Sequence, residues 1–147
     1  GNHGSTYGGN PLSMAIVKAA LEVTRDEGLV ENSRDRGLQM RSGFNKINST
    51  LLKDVRGRGL MTAIEVDRDS FVNGDDLCDI FRHHGILTKS TKEFSVRFTP
   101  ALVMTEAEVD KVTEIVATSF EDLEHLNEQR ANSYYKSLER KENKSYQ

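Results

Sequence analysis

Between Leu12 and Val23 only Lys18 and Glu22 carry charge, and nearly every other position is apolar. Asn10 can cap a helix, Pro11 suits a first helical position and Gly28 suits the exit, so the pattern predicts a helix from Pro11 to Glu27. A helix apolar on nearly every side is normally buried on nearly every side. This one is therefore expected to pack against protein beyond the chain, which looks like a piece of something longer. Val30, Ser33, Gly37, Met40, Phe44, Ile47 and Leu51 then recur at alternating steps of three and four, which predicts a second helix from Val30 to Leu52. After Arg56, Gly57, Arg58 and Gly59 the rhythm changes. Leu60, Thr62, Ile64 and Val66 alternate with Met61, Ala63 and Glu65, as in a half-buried strand.

The polar stretch from Asp67 to Asp76 reads as a loop, and Leu77, Ile80, Phe81 and His84 mark a short helix that Gly85 stops. Ile86 to Lys89 and Phe94 to Thr99 are the next strand candidates, joined as a hairpin by Ser90, Thr91, Lys92 and Glu93 and closed by Pro100. Thr105 with Glu108 makes a capping box, and Met104 with Val109 a hydrophobic staple. Val109, Val112, Val116, Phe120 and Leu123 form the buried stripe of the last strong helix. From Glu121 the chain carries six acidic and five basic residues in 27 positions, so the tail is expected to be a marginal helix or disordered. The order ααβαββα predicts an α+β fold, with helices on a small antiparallel or mixed sheet. Residues 1–28 form an opening loop and helix, 29–120 a body and 121–147 the tail.

The length of 147 residues predicts one domain. With 36% apolar and 29% charged residues, and no apolar run near the ~20 needed to cross a bilayer, no membrane span is expected. A net charge of −3 with scattered basic residues argues against a nucleic-acid footprint. The single cysteine, Cys78, cannot form an internal disulfide, which suits a reducing compartment, cytosol or mitochondrial matrix.

Candidate chemistry is concentrated at two places. His3, Gly4, Ser5, Thr6, Tyr7, Gly8, Gly9 and Asn10 set hydroxyls and bare backbone N–H groups before a helix N-terminus, a physically good place for a phosphate. The segment is neither a P-loop nor GxGxxG, and on composition alone a turn or cap explains it as well. In FSVRFTP, Phe94, Val96 and Phe98 face one way and Ser95, Arg97 and Thr99 the other, so Arg97 is either a solvated sheet residue or a fork for a carboxylate. Arg56 and Arg58 could bind an anion, although a tight turn explains their glycines equally. His83 and His84 are adjacent and cannot stack like an i, i+4 metal pair, so no metal site is expected. Cys78 reads as a packed thiol.

Taken together, HGSTYGGNPLSMAIVKAALEV, VRGRGLMTAIEV, GILTK and VRFTPALVMTEAEVD resemble the C-terminal part of a class III, fold-type I, pyridoxal-phosphate aminotransferase, over about Gly1 to Phe120. The resemblance implies that the chain is the small C-terminal domain of such an enzyme, preceded by an interface loop and a connecting helix. It implies a homodimer in which Thr6, supported by Ser5, holds the phosphate of a pyridoxal 5′-phosphate bound to the other subunit. Arg97 would take the α-carboxylate of glutamate or 2-oxoglutarate. The resemblance implies a member that acts on ornithine, moving its δ-amino group to 2-oxoglutarate; the alternative is another class III member, acting on acetylornithine or 4-aminobutyrate. Tyr7 fits the ornithine-using members, whereas Ala101 stands where they usually carry a second proline after Pro100. The cofactor-bearing lysine of the family lies before the HGSTYGG loop, so this stretch is expected to be inactive alone. A truncated, noncatalytic interaction module is the competing expectation.

Overall fold

A computed structural model describes residues 3–145, with side chains described as far as residue 137. Gly1, Asn2, Tyr146 and Gln147, which belong to the expected opening segment and tail, lie outside the described residues.

Helix α1 spans Pro11–Asp26, and the Asn10 side chain accepts from the Ser13 N–H at 2.9 Å to cap it. Helix α2 follows at once as Leu29–Phe44, eight residues shorter at its end than the period of its apolar positions suggests. The chain leaves the helix because Asn45, Asn48, Ser49 and Thr50 satisfy their backbones better in turns. Glu124 fixes that turn by accepting from the Ser49 hydroxyl at 2.6 Å and the Thr50 N–H at 3.2 Å. Ile47 and Leu51 keep their contact with the core from outside the helix.

Strand β1, Leu52–Arg58, is the element the sequence pattern does not announce. It lies at an edge of the sheet, where Lys53, Asp54, Arg56 and Arg58 can all be exposed, so it lacks the alternation that reveals β2, Met61–Val66. The two join through Gly59 and Leu60, with Gly59 at φ 55°. This turn is pressed against α2. A Cβ on Gly37 would come within 1.8 Å of the Gly59 carbonyl oxygen, which only glycine permits. Arg41 donates to the same carbonyl at 2.6 Å, and the Leu60 N–H donates to the Ser33 hydroxyl at 3.1 Å.

Helix α3 runs Gly74–His83 and starts three residues before the expected position. A reciprocal cap between Asn73 and Asp76 draws Gly74 to Asp76 into its first turn. Strands β3, Lys89–Lys92, and β4, Ser95–Phe98, form the expected hairpin, but its turn is Glu93 and Phe94. The polar tetrad assigned to the turn is mostly strand, because an edge strand can be polar throughout. The sheet order is β1-β2-β4-β3 and every pair is antiparallel.

Helix α4, Glu106–Ser145, opens on the Thr105–Glu108 capping box and continues without a break through the stretch expected to be marginal or disordered. Helices α2 and α3 lie on one face of the sheet, and α4 packs across both. Between the layers sits a core of Met40, Phe44, Ile64, Leu77, Phe81, Val96, Phe98, Val109, Val116, Phe120 and Leu123. Phe98 is clamped there, its ring 5.2 Å from Phe44 and 5.6 Å from Phe81. The opposite face of the sheet has no helix on it among the described elements.

Candidate functional site

Side chains of β4 alternate across the sheet, so burying Val96 and Phe98 forces Arg97 onto the open face. Its flanking strands set its neighbours: Ala63 on β2 lies on one side and Lys89 on β3 on the other. Alanine leaves room above the backbone. The Thr88 hydroxyl donates to the Arg97 carbonyl at 2.7 Å and ties down the entry to β3. Arg97 lines a cleft of about 370 Å³ whose walls include Ile86, Thr88, Lys89, Thr99, Pro100 and Met104.

Most arginines here are already engaged. Arg56 reaches Asp54, Glu65 at 2.9 Å and the Ser95 hydroxyl at 3.2 Å, and Arg130 grips both oxygens of Asp76. The hydrogen-bonded carboxylates Asp54 and Glu65 hold the Arg56 guanidinium above its usual pKa, and Arg68 with Arg56 holds Glu65 below the usual carboxylate range. Arg56 therefore does not serve as the anion site considered from the sequence. Arg97, by contrast, has no carboxylate within 4 Å among the described side chains, and Arg58 shares that condition. A cation with both faces of its fork unused, at the rim of a cleft, can accept a planar carboxylate with two parallel hydrogen bonds.

The glycine-rich opening lies elsewhere. Residues 6–9 form a turn in which the Gly8 N–H donates to the Ser5 carbonyl at 3.3 Å, and the Asn10 amide donates to the Tyr7 carbonyl at 2.6 Å. Ser5 and Thr6 are exposed and their hydroxyls have no partner among the described residues. A Cβ on Gly4 or Gly9 would meet nothing within 4 Å, so bare backbone is presented there. Hydroxyls, backbone N–H groups and the start of α1, with no acidic residue from His3 to Asn10, make a donor set that fits a phosphate. Ser5 and Thr6 share no cavity with Arg97, so within one chain these candidates stay apart.

Three other candidates resolve differently. His84 meets Asp122 at 2.7 Å and His83 is exposed, and no group of three or more His, Cys, Asp or Glu among the described residues could hold a metal. Burial and the nearby Asp75 push the Cys78 thiol up in pKa, which keeps it unreactive. None of the described lysine side chains is buried. Lys89 beside Arg97 is the residue that sequence reasoning overlooked. Placing β3 at 86–89 hid the register that makes the two neighbours.

The aminotransferase class-III family pattern covers residues 1–120, and the chain belongs to that family. It is 42% identical over 129 residues to the ornithine aminotransferase of Emericella nidulans, covering 86% of this chain and 28% of that protein. Among solved structures it is similar to the Toxoplasma gondii ornithine aminotransferase with partial occupancy of PLP at its active site. There the TM-score is 0.79 at 37% identity, over 87% of this chain and 31% of that one. An acetylornithine aminotransferase from Elizabethkingia anophelis matches with a TM-score of 0.74 at 36% identity, over 83% and 33%. The chain thus spans less than a third of the curated relative's length. No helix among the described residues is long and apolar enough to cross a membrane.

Proposed function

We propose that this chain is the C-terminal, carboxylate-binding part of an ornithine aminotransferase, which moves the δ-amino group of L-ornithine to 2-oxoglutarate and yields glutamate 5-semialdehyde and glutamate. The observation that carries the reading is the unengaged Arg97 fork at the rim of a cleft that runs from β3 and the end of β4 towards Met40 of α2 and Val112 of α4. In this reading Arg97 takes the α-carboxylate of the keto acid and fixes the direction in which the carbonyl points. The packing of Phe98 between Phe44 and Phe81 keeps β4, and so the guanidinium, from drifting. The walls supplied by Ile86, Pro100 and Met104 thin the water around that ion pair.

Pyridoxal 5′-phosphate, when bound, supplies the electron sink that lets an amino group be exchanged between carbon skeletons. Ser5 and Thr6 would hold its phosphate from across a homodimer interface, which explains why they share no cavity with Arg97 in one chain. The exposed apolar residues Leu12, Ile16 and Leu21 of α1, next to that loop, suit burial in the same assembly. With only exposed lysines described, the chain by itself is expected to be inactive.

The test is steady-state kinetics of the full-length enzyme. Arg97→Lys should raise the KM for 2-oxoglutarate about tenfold or more, since an ammonium cannot reproduce the planar fork. An unchanged KM would remove Arg97 from the site. A second reading, transfer from acetylornithine, is favoured by the likeness to the Elizabethkingia enzyme, and assaying both donors side by side separates the two.

A further inference from the structure

Lys89 and Arg97 are directly opposed on neighbouring antiparallel strands, so their side chains rise from the same face of the sheet. Both are exposed, both line the cleft of about 370 Å³, and neither has a carboxylate within 4 Å among the described side chains. Like charges directly opposite one another destabilise a sheet pair. The cost is not relieved from the other side, where Arg97 meets the neutral Ala63. Elsewhere on this face the opposite choice is made, and Arg56 is surrounded by Asp54 and Glu65. Two uncompensated cations, in a chain whose net charge is −3, therefore form a local positive site that an anion would relieve.

The two cations differ in what they can do. Arg97 presents a rigid planar fork, whereas Lys89 is a flexible point charge on a long stem. We propose that Lys89 is a specificity residue for the amino acceptor: it adds a second positive charge beside the Arg97 fork and so favours a dianionic 2-oxo acid over a monoanionic one. This rests on the assignment of Arg97 to the acceptor carboxylate. Lys89 attracts the doubly charged acid into the cleft and holds it against water while Arg97 sets its orientation. The hydroxyl of Thr88, bonded to the Arg97 carbonyl, keeps the start of β3 close enough for the lysine to reach.

The experiment uses the full-length enzyme carrying its cofactor, with 2-oxoglutarate as the dianion and pyruvate as the monoanion. Lys89→Gln should raise the KM for 2-oxoglutarate roughly threefold to tenfold, as expected for one point charge ~6 Å from a carboxylate in partly solvated surroundings. The pyruvate KM should rise less and kcat should fall less than twofold. Raising the salt concentration should weaken 2-oxoglutarate use by the parent enzyme more than by Lys89→Gln, and Lys89→Arg should restore the parent behaviour. If Lys89→Gln leaves both the acceptor preference and the salt dependence unchanged while Arg97→Lys raises the KM, the role of Lys89 is overturned and that of Arg97 stands. If Arg97→Lys also leaves the KM unchanged, both fall.

Discussion

Between Pro11 and Asp26, α1 carries Leu12, Ile16, Leu21 and Val23 and buries none of them, whereas past Glu121 α4 carries a charged sequence and bonds repeatedly to the body. Asp122 meets His84 at 2.7 Å, Asn127 accepts from the Phe71 N–H at 2.8 Å, and Arg130 donates to the Phe71 carbonyl at 3.0 Å. Both guanidinium amines of Arg130 then close on Asp76 at 2.6 and 2.7 Å, and Tyr134 lies 5.5 Å from the Phe71 ring. Apolar character states how much a segment needs a partner, but it does not supply one. Polar groups in a fixed geometry do, because the irregular loop at Phe71 has a backbone N–H and carbonyl that must be satisfied. The charged extension satisfies both. It lies beyond the residues the family pattern covers, and its bonds tie α4 to the loop at Phe71.

The largest expected effect is at the root of the extension, where Leu123 is fully buried. Leu123→Ala should cost about 3 kcal/mol by leaving a cavity under α4, and should lower the Tm by roughly 6–12 °C. A loss below about 1 kcal/mol in thermal or urea unfolding would mean that this part of α4 is not core, and the contrast with α1 would disappear. Next comes Asp76, which caps α3 through the Asn73 N–H at 3.0 Å and also receives Arg130. Asp76→Ala removes both functions and should cost about 2 kcal/mol, more than Arg130→Met, which leaves the cap intact. Equal losses in the two variants, measured with the double variant as a cycle, would show that the strap and the cap are one interaction.

How much of this was legible in the sequence follows the same division. Two helices are readable because a cap and an apolar pattern agree: α1, with its Asn10 cap and a run apolar on nearly every side, and the first part of α4, with its capping box and one-sided stripe. Strand β1 was not, since an edge strand exposed on most positions has no alternation and Gly57 suggests a turn. The docking of the extension was also hidden. Its partners Asp76 and Phe71 sit more than fifty positions away, and nothing in a local pattern links Arg130 to them. Arg97 is visible as an outward arginine on a strand, but its lack of partners depends on where the fold places every carboxylate around it. Ser5 and Thr6 were marked by the glycines beside them, and the fold adds that their hydroxyls point to no neighbour within the described chain.

A smaller effect is expected on α1, and its smallness is the point. Leu21 is 65% exposed, so Leu21→Gln should change the unfolding free energy of the chain by no more than about 0.5 kcal/mol. The same change should reduce self-association at high concentration, read by sedimentation, because an exposed apolar stripe is what drives such contacts. A destabilisation above about 1 kcal/mol would show that α1 is packed on this body after all.

The smallest effect is a difference in acid response between the two ends. Backbone and hydroxyl bonds from Thr105 hold Glu108 below the usual carboxylate range, and Lys53 with the backbone of Asp69 does the same for Asp67. A carboxylate whose pKa is depressed by folding stabilises the folded state fully above its unfolded value of about 4, and that stabilisation is lost as pH falls through the lower folded value. The start of α4 and the loop leading to Phe71 should therefore loosen as pH drops below about 4. Glu108 is exposed and Asp67 half-buried at the surface, so the change is modest and salt should shrink it. Helix α1 ends in an Arg25–Asp26 contact between neighbours in sequence and has no bonded carboxylate anchoring it to the body. Amide exchange compared at pH 6 and pH 3, corrected for intrinsic rates, should show protection falling at Val109 and Ser70 while α1 keeps whatever protection it had. Equal losses in α1 and at these two places would mean that acid acts on the molecule as a whole, and that the bonds of Glu108 and Asp67 hold neither the start of α4 nor the loop at Ser70.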